Sequence, residues 1–210
     1  MTFNSSYSQA AENNKGPIGE VLVEAFASCR HVLELASGTG QHAVYLSRLM
    51  PHLVWQTSDL DVNLEIIAAR VRAEGGANLR APIALDVADL PWPVPPVDAV
   101  FAANAVHIMS WNHVIDMFQG LDPVLEKGGL LALYGPYKYG GAFTTDSNAR
   151  FDEWLKARDP LSGIRDFEAV DDLAAGIGLA LQADHPMPAN NQLLIWRRGR
   201  SCRAPRSLPV

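Results

Sequence analysis

Val32-Leu33-Glu34-Leu35-Ala36-Ser37-Gly38-Thr39-Gly40 is a short apolar run ending in two glycines, and Gln41-His42-Ala43-Val44-Tyr45-Leu46 continues it with helical periodicity. This pattern predicts a buried strand, a tight glycine turn and a helix. Glycine permits positive φ and close approach of a ligand, and the first amides of a helix lack internal partners. Because open α/β sheets bind ligands at the carboxyl ends of their strands, the turn 36–40 indicates a nucleotide-type cofactor site. The alternative is an ordinary strand-to-helix turn.

Length and charge limit the possible classes of protein. The 210 residues and 48% hydrophobic content are suited to one globular domain, which we place at residues 17–197. The formal net charge of -6 does not favour nucleic acid as a partner. Basic residues are concentrated near the end of the chain, at Arg197, Arg198, Arg200, Arg203 and Arg206. We interpret residues 198–210 as a solvated, disordered tail, with binding to RNA or an acidic surface as the alternative.

The two cysteines, Cys29 and Cys202, imply neither a disulfide framework nor a metal site, which is typical of a reducing compartment. The polar segment 1–15 lacks the apolar core of a signal peptide. No run approaches the roughly 18 apolar residues that a membrane span requires. We therefore expect a cytoplasmic protein without a membrane partner and without a metal ion.

Strands and helices alternate along most of the chain. Pro17 is expected to open the first helix, over 18–26, and residues 1–16 to form a flexible segment. Strands are predicted at 31–36, 53–57, 81–85, 97–102 and 130–134, with helices after Gly40 up to Pro51, at 63–74 and at 111–125. The four prolines of 89–96 predict an exposed loop. This alternation predicts an α/β fold with a doubly wound, mostly parallel sheet.

The regular alternation of strands and helices does not continue to the end of the chain. Short helices at 148–156 and 169–177 precede two strands, at 179–183 and 192–196, which complete a seven-stranded sheet. About eight residues separate these strands, enough for a hairpin but too few for a crossover connection. The sheet is therefore predicted to end in an antiparallel strand.

Polar residues follow the predicted strands and should meet at one edge of the sheet. They include Asp59, Asp86, Asn104, His107, Tyr134 and Tyr137. Asp59 lies 19 residues beyond Gly40, the spacing expected for an acid that receives ribose hydroxyls. A carboxylate can accept two hydrogen bonds from neighbouring hydroxyls. The alternative for Asp59 is a helix N-cap, a role for which Asp61 competes.

Two cofactor classes fit this layout. Gly38-x-Gly40-x-x-Ala43 matches the dinucleotide fingerprint, so a nicotinamide-dependent oxidoreductase stays open as a minor alternative. The chain is short for two mononucleotide-binding halves and a substrate domain. The antiparallel end of the sheet and the acids after both the second and third strands also argue against that class.

Together these features resemble the class I S-adenosylmethionine-dependent methyltransferases. The resemblance spans about 17–196 and is carried by Glu34-x-Ala36-x-Gly38-x-Gly40, Asp59, Asp86-Val87, 97–104 and Leu125-x-x-Gly128-Gly129-Leu130. More narrowly, the chain is similar to a methyltransferase-like subfamily long filed as a domain of unknown function. The motifs shared with it are Ala11-Glu12-Asn13-Asn14-Lys15-x-Pro17-Ile18, Leu35-Ala36-Ser37-Gly38-Thr39-Gly40-Gln41-His42, Trp55-Gln56-x-Ser58-Asp59, Tyr134-Gly135-Pro136, Ser147-Asn148-x-x-Phe151-Asp152 and Met187-Pro188-Ala189-Asn190-Asn191.

The resemblance implies a Rossmann-like fold and a site for S-adenosylmethionine, with S-adenosylhomocysteine as product. The implied cofactor-binding residues are Glu34, Ala36, Ser37, Gly38, Gly40, Asp59, Asp86, Val87 and Asn104. Residues 34–40 would line the methionine and ribose side, and Asp59 would hold the ribose hydroxyls. Asp86 and the Val87 amide would recognise the adenine edge, and Asn104 would face the methionine part.

The sequence departs from the family pattern at two positions. Ala36 stands where a glycine is usual, which narrows the φ values available there. Asn13 stands where the subfamily often has arginine, so Lys15 becomes the candidate for binding the cofactor carboxylate. We expect the N-terminal segment, up to residue 15 or 16, to fold over the crevice as a lid.

Methyl transfer from a sulfonium is an in-line displacement in which the protein mainly positions the reactants and excludes water. The acceptor is an unidentified small molecule or protein. His107, three residues beyond Asn104, is the candidate base, with a buried structural histidine as the alternative. Tyr137 is a second candidate for the acceptor pocket, and His42 is assigned to the helix surface or to packing. A non-catalytic cofactor-binding module is the main alternative function.

Overall fold

Ten strands, six α-helices and one 3-10 turn (Pro188–Asn190) follow one another in residues 7–199, the part of the chain that the computed structural model describes. The elements are α1 (Gln9–Ala25), β1 (His31–Leu35), α2 (Gln41–Leu49), β2 (Val54–Asp59), α3 (Asp61–Glu74), β3 (Leu79–Ala84), β4 (Val97–Ala103), α4 (Trp111–Val124), β5 (Leu125–Gly135), β6 (Tyr137–Tyr139), β7 (Ala142–Phe143), α5 (Asp146–Arg158), β8 (Arg165–Asp166), α6 (Phe167–Gly176), β9 (Leu179–Met187) and β10 (Asn191–Arg198). No helix within this range is long and apolar enough to cross a membrane.

The main sheet has seven strands in the order β3-β2-β1-β4-β5-β10-β9. The first five strands are parallel, whereas β10 runs antiparallel to both β5 and β9. Val32 of β1 pairs with Trp55 on one side and Ala99 on the other, so the strand order reverses at β1 and β4. The predicted doubly wound, mostly parallel sheet with a terminal antiparallel strand is confirmed.

Successive residues of β1 point to opposite faces of the sheet. Val32 packs into a hydrophobic cluster with Ile18 of α1 and Leu46 of α2. Leu33 packs into a second cluster with α4 and α6 residues such as Phe118 and Val170. Helices therefore cover both faces, which explains why the central strands β1 and β4 are mostly apolar.

The first helix begins at Gln9, eight residues before Pro17, so the predicted opening at Pro17 is wrong. Ser8 is the N-cap, and its Oγ accepts a hydrogen bond from the Ala11 amide at 3.2 Å. Pro17 lies inside the helix. Residues 9–16 are thus helical rather than flexible, and residues 1–6 of the predicted segment lie outside the described range.

The last strand continues through Arg198, so this first residue of the predicted tail belongs to the sheet, as does Arg197 before it. Arg197 Nη1 donates to the Gly128 carbonyl at 3.0 Å, and Arg198 pairs with the Asp122 carboxylate. The remainder of the predicted tail, residues 200–210, lies outside the described range.

A small second sheet in the order β7-β6-β8 was not predicted. Its strands have two or three residues each, too few to show a period in the sequence. This sheet follows β5 directly and borders α5 and α6 in the chain, so it carries the connection that places α5 beside the main sheet.

The proline-rich segment 89–96 is a loop, but it is not wholly exposed as predicted. Trp92 is buried, and its Nε1 donates to the Val87 carbonyl at 3.3 Å. A Cβ at Gly120 of α4 would lie 2.1 Å from Trp92 Cε2, so the indole ring packs directly on that glycine. The loop is therefore anchored to α4.

Candidate active site

A cleft of about 1210 Å³ lies at the carboxyl ends of the parallel strands, where the strand order reverses. Its walls come from the segments 8–14, 35–42, 59–63, 85–87, 103–113, 134–136, 147–161 and 188–191. Pockets for a single small ligand typically measure 300–1,000 Å³. This cleft therefore has room for two small molecules side by side.

The glycine turn forms one wall of the cleft through Ala36, Ser37 and Gly38. Ala36 and Gly38 have φ of +52° and +59°, so the chain turns through the left-handed region twice. This conformation is uncommon for a residue with a side chain, and Ala36 therefore carries backbone strain. The turn is held by the Ser37 amide, which donates to the Ser58 carbonyl at 3.0 Å.

Asp59 connects this turn to the start of α3. Its Oδ2 accepts from the Gly38 amide at 2.7 Å, while Oδ1 accepts from the Leu60 amide at 2.8 Å and from Asn63 Nδ2 at 2.7 Å. Asp59 is 5% exposed and lines the cleft, whereas Asp61 is the exposed first residue of α3. A carboxylate offers roughly four acceptor positions, so one stays available to a ligand.

Glu34 and Gly40 lie behind the cleft wall rather than on it. Glu34 is 2% exposed, and its Oε2 accepts from Trp55 Nε1 at 2.7 Å. Burial raises the pKa of the Glu34 carboxyl to about 8. Gly40 caps α2 with φ of +73°, and a Cβ there would lie 3.4 Å from Arg70 Cδ. Both predicted cofactor ligands therefore support the turn from inside, because their side-chain positions face packed neighbours.

Asp86, Val87 and Asn104 line the cleft as predicted from their positions after the strands. Asp86 Oδ1 accepts from the Ala88 amide at 3.0 Å, and Val87 is fixed through its carbonyl by Trp92. Asn104 has φ of +56°, and its amide donates to the Tyr134 carbonyl at 2.8 Å. The three residues form the part of the cleft wall between the end of β3 and the end of β4.

The first helix forms part of the cleft wall, whereas the sequence predicted only a lid from this segment. Asn13 and Asn14 line the cleft, and Asn14 Oδ1 lies 2.6 Å from Nε2 of the buried His42. His42 was assigned to the helix surface or to packing, but it also lines the cleft. Its pKa is lowered to about 4, first by burial and then by Lys15. His42 is therefore a neutral hydrogen-bonding group at neutral pH.

Lys15 does not face the cleft. Its Nζ lies 2.5 Å from Glu12 Oε1 and 5.3 Å from the centre of the Tyr45 ring. The predicted role of Lys15 in binding a cofactor carboxylate is therefore wrong, because Glu12 and Tyr45 hold the side chain on the outer side of α1.

Gln41 fixes the start of α1 to the glycine turn. Its Oε1 accepts from the Ser8 amide at 2.6 Å and from the Thr39 hydroxyl at 3.0 Å. Its Nε2 donates to Glu12 Oε2 at 3.1 Å. No feature of the sequence pattern marked Gln41 as the residue joining these two segments.

A further wall is formed by α5 and the turn between β9 and β10. Asn148 Nδ2 donates to the Asn190 carbonyl at 3.0 Å, which holds these two elements together. Ala189 and Asn190 both have positive φ, of +58° and +59°. The motifs around Asn148 and Asn190, singled out in the sequence, therefore meet at one side of the cleft.

The two predicted catalytic residues have different locations. His107 is 4% exposed and lines the cleft, and its pKa is lowered to about 4 by burial and, secondarily, by Arg165. Tyr137 instead packs in the core cluster beneath the sheet, and burial raises its pKa. Its hydroxyl has no hydrogen-bond partner among the described residues. Tyr137 is therefore removed from the candidate catalytic residues, because its ring is part of the core.

The strand order, the glycine turn and the cleft at the switch point define a Rossmann-like fold of the kind found in class I methyltransferases. Similar solved structures include an O-methyltransferase family protein from Burkholderia thailandensis, with a TM-score of 0.79 and 18% identity over 91% of this chain and 59% of that one. The mitomycin 7-O-methyltransferase matches with a TM-score of 0.74 and 14% identity, over 89% of this chain and 54% of that chain. An O-methyltransferase family 2 protein from Planctomyces limnophilus, solved with apigenin, matches with a TM-score of 0.70 and 16% identity, over 89% and 62%.

The chain belongs to the family described as "Protein of unknown function (DUF938)", whose family model matches residues 5–198. It spans little more than half the length of the solved structures that it resembles, between 54% and 62% of the three described above. Identities of 14–18% establish a shared fold.

Proposed function

We propose that this protein is a methyltransferase that uses S-adenosylmethionine and transfers its methyl group to a small molecule. The observation that carries the proposal is the position of Asp59, a buried carboxylate that faces the cleft from the switch point of the sheet. It is held there by the Gly38 amide of the turn. The O-methyltransferases with this fold support the same reaction class.

The charges around the cleft fit this cofactor. The charged side chains on its described walls, histidines aside, are the carboxylates of Asp59, Asp86 and Asp159 and the guanidinium of Arg158. S-adenosylmethionine carries an ammonium, a sulfonium and one carboxylate, so its net charge is positive. An excess of carboxylates therefore favours its binding.

The polar groups of the cleft have separate roles in the proposed function. Asp59 has an acceptor position for a ribose hydroxyl, and a hydrogen bond to a charged group contributes about 1.5–3 kcal/mol. Asp86 and the adjoining Val87 amide offer an acceptor and a donor to the adenine edge. Asn104 and His107 follow β4 and line the next part of the cleft, where we assign Asn104 to the methionine part of the cofactor and His107 to the acceptor.

When bound, S-adenosylmethionine supplies a methyl group already activated by a positively charged sulfur. The residues of the cleft bring the acceptor in line with it and exclude water. Such positioning can lower a barrier by roughly 7–11 kcal/mol. His107 is neutral at physiological pH, so it can accept a hydrogen bond from the acceptor rather than repel the cationic cofactor.

Calorimetric titration with S-adenosylmethionine and S-adenosylhomocysteine tests the proposal. The Asp59→Ala variant is expected to bind both at least tenfold more weakly, because it loses a charge-assisted hydrogen bond. Asp61→Ala is the matched control, since Asp61 is exposed two residues further on, and it should bind within twofold of the natural chain. Thermal unfolding of both variants verifies that they fold.

Three outcomes would contradict the proposal. Binding of neither compound overturns the cofactor assignment. Preferential binding of a nicotinamide dinucleotide favours the oxidoreductase. Tight binding of S-adenosylmethionine without methylation across a broad set of acceptors favours the non-catalytic binding module.

A further inference from the structure

A column of flat side chains lines the cleft where α5 forms its wall. The His107 and Phe151 rings make an edge-to-face contact, with centroids 5.6 Å apart. Phe151 and Trp154 stack with centroids 5.7 Å apart and an interplanar angle of 17°. The guanidinium carbon of Arg158 lies 4.5 Å from the centre of the Trp154 ring. The column runs from the buried His107 to the exposed Arg158, from the interior of the cleft towards solvent.

The helix α5 is fixed so that this column faces the cleft. Positions 151, 154 and 158 are three and four residues apart, so they share one face of the helix. Asp152 and Leu155 are buried, and Asp152 Oδ1 accepts from the Ile164 amide at 2.7 Å. Asp152 Oδ2 also lies 2.6 Å from Lys156 Nζ. The orientation of the aromatic face is therefore held by contacts outside the cleft.

Large apolar surface is left uncovered at this end of the cleft. Trp154 is 49% exposed and Leu161 is 65% exposed, although both line the cleft wall. The side of the cleft nearer β2 and β3 instead presents the carboxylates of Asp59 and Asp86. The two ends thus differ in chemistry, and the volume of about 1210 Å³ exceeds that of a typical single-ligand pocket.

We propose that the methyl acceptor is a planar aromatic molecule bearing a hydroxyl group, which stacks along Phe151 and Trp154 with its hydroxyl directed to His107. The inference rests on the proposed function, because it names the acceptor for that methyl group. Aromatic side chains bind flat rings in offset-stacked or edge-to-face arrangements. His107 lines the cleft beside Phe151, so its imidazole is the polar group at the inner end of this stack that a hydroxyl would meet.

In the proposed transfer step, one bond forms at the acceptor oxygen and one bond breaks at the cofactor sulfur. The acceptor oxygen forms a bond to the methyl carbon, and the carbon–sulfur bond breaks with its electron pair remaining on sulfur. The products are the aryl methyl ether and S-adenosylhomocysteine. The hydroxyl proton becomes strongly acidic as the new bond forms, so the His107 imidazole can take it late in the step and pass it to water.

The test compares 1-naphthol with decahydro-1-naphthol, its saturated counterpart of similar size, by calorimetry with and without S-adenosylhomocysteine. We expect 1-naphthol to bind at least tenfold more tightly. The exposed Trp154 can be replaced without cost to the core, and Trp154→Ala should lower the affinity for 1-naphthol about tenfold. Its affinity for S-adenosylhomocysteine should change less than twofold.

Two further variants separate stacking from general apolar contact. Phe151→Leu keeps an apolar side chain but removes the ring, and it should also weaken 1-naphthol binding. Phe143→Ala removes an exposed aromatic ring of β7 that is not part of the cleft lining, and it should leave binding unchanged. Equal binding of the two alcohols, or unchanged 1-naphthol binding in Trp154→Ala, would overturn the inference.

The failure of this inference is distinguishable from that of the proposed function. Tight S-adenosylhomocysteine binding with no preference between the alcohols overturns the aromatic acceptor alone. Selective 1-naphthol binding without S-adenosylhomocysteine binding overturns the methyltransferase and leaves the aromatic subsite. Labelled methyl groups that enter casein but not 1-naphthol overturn the aromatic acceptor in favour of a protein substrate.

Discussion

At the scale of single residues, Ala36 has the most unusual backbone in the glycine turn, because it holds φ of +52° with a side chain. Left-handed backbone costs a residue other than glycine roughly 1–2 kcal/mol. The residue thus keeps the turn in its ligand-facing shape at the expense of stability. The sequence indicated a restricted φ here, whereas the positive φ of Asn104 could not be predicted, since it depends on pairing with β5.

The Ala36→Gly variant is expected to be more stable by about 1 kcal/mol, because glycine adopts positive φ without steric cost. For a chain of this length, that gain raises the melting temperature by roughly 2–4 °C. Differential scanning calorimetry measures the change. Ala103→Gly is the matched control, since Ala103 lies in β4 at the edge of the same cleft and should lose stability. A lower melting temperature for Ala36→Gly would contradict the inference that the Ala36 backbone is strained.

At the scale of elements, the helices and strands with a clear hydrophobic period were predictable, and the short ones were not. β1 and β4 follow from apolar runs, because both faces of these strands are buried. The start of α1 was missed because Pro17 suggested a boundary that the Ser8 cap overrides. The burial of Trp92 was missed because it depends on a glycine of another element, Gly120.

The contact between Trp92 and Gly120 gives a prediction for the proline-rich loop. In Gly120→Ala the new Cβ would lie 2.1 Å from Trp92 Cε2, so the indole must move. Such overpacking costs about 1–3 kcal/mol, measured by urea unfolding. If the proposed function holds, the binding of S-adenosylmethionine should weaken as well, because Trp92 holds the Val87 carbonyl at the cleft wall.

Gly176→Ala is the control for this change. Gly176 is also in a helix, but nothing lies within 4 Å of a Cβ placed there. Alanine is the better helix former, so this variant should keep or gain up to about 1 kcal/mol of stability. If Gly120→Ala unfolds at the same urea concentration as Gly176→Ala, the packing of Trp92 on α4 is not tight.

At the scale of the whole molecule, the sheet topology explains which residues of the site could be predicted from the sequence. Asp59, Asp86 and Asn104 follow strands, and a parallel sheet brings the ends of its strands to one edge whatever the packing of individual side chains. The walls from α1 and α5 depend on how those helices dock. A residue such as Trp154 therefore gave no signal in the sequence. The inward orientation of Glu34 likewise depends on the Trp55 side chain of the neighbouring strand.

Three buried groups give the folded protein a predictable response to pH. His42 and His107 have pKa values lowered from 6.5 to about 4, so the stability they contribute is lost as pH falls from 6.5 towards 4. Glu34 has a pKa raised from 4.5 to about 8, so its contribution is lost as pH rises from 4.5 towards 8. These groups together should make the free energy of unfolding greatest near pH 6.5.

The expected slope is about 1.4 kcal/mol per pH unit on each side of that maximum. Between pH 4.5 and 6.5 the unfolded chain binds two histidine protons and the folded chain binds the Glu34 proton. Above pH 6.5 only the folded chain holds its proton. Urea unfolding at pH 5, 6.5 and 8 measures the curve. Glu34→Gln should abolish the decline above pH 6.5, and a decline of unchanged slope in that variant would exclude a protonated Glu34.

The order of the main sheet leaves β3 and β9 at its two edges. Each of these edge strands contains a proline, Pro82 in β3 and Pro186 in β9. Proline has no N–H to donate to an added strand, and edge prolines discourage sheets of separate molecules from joining. The strand order that brings the cleft together thus also leaves edges that resist aggregation at high protein concentration.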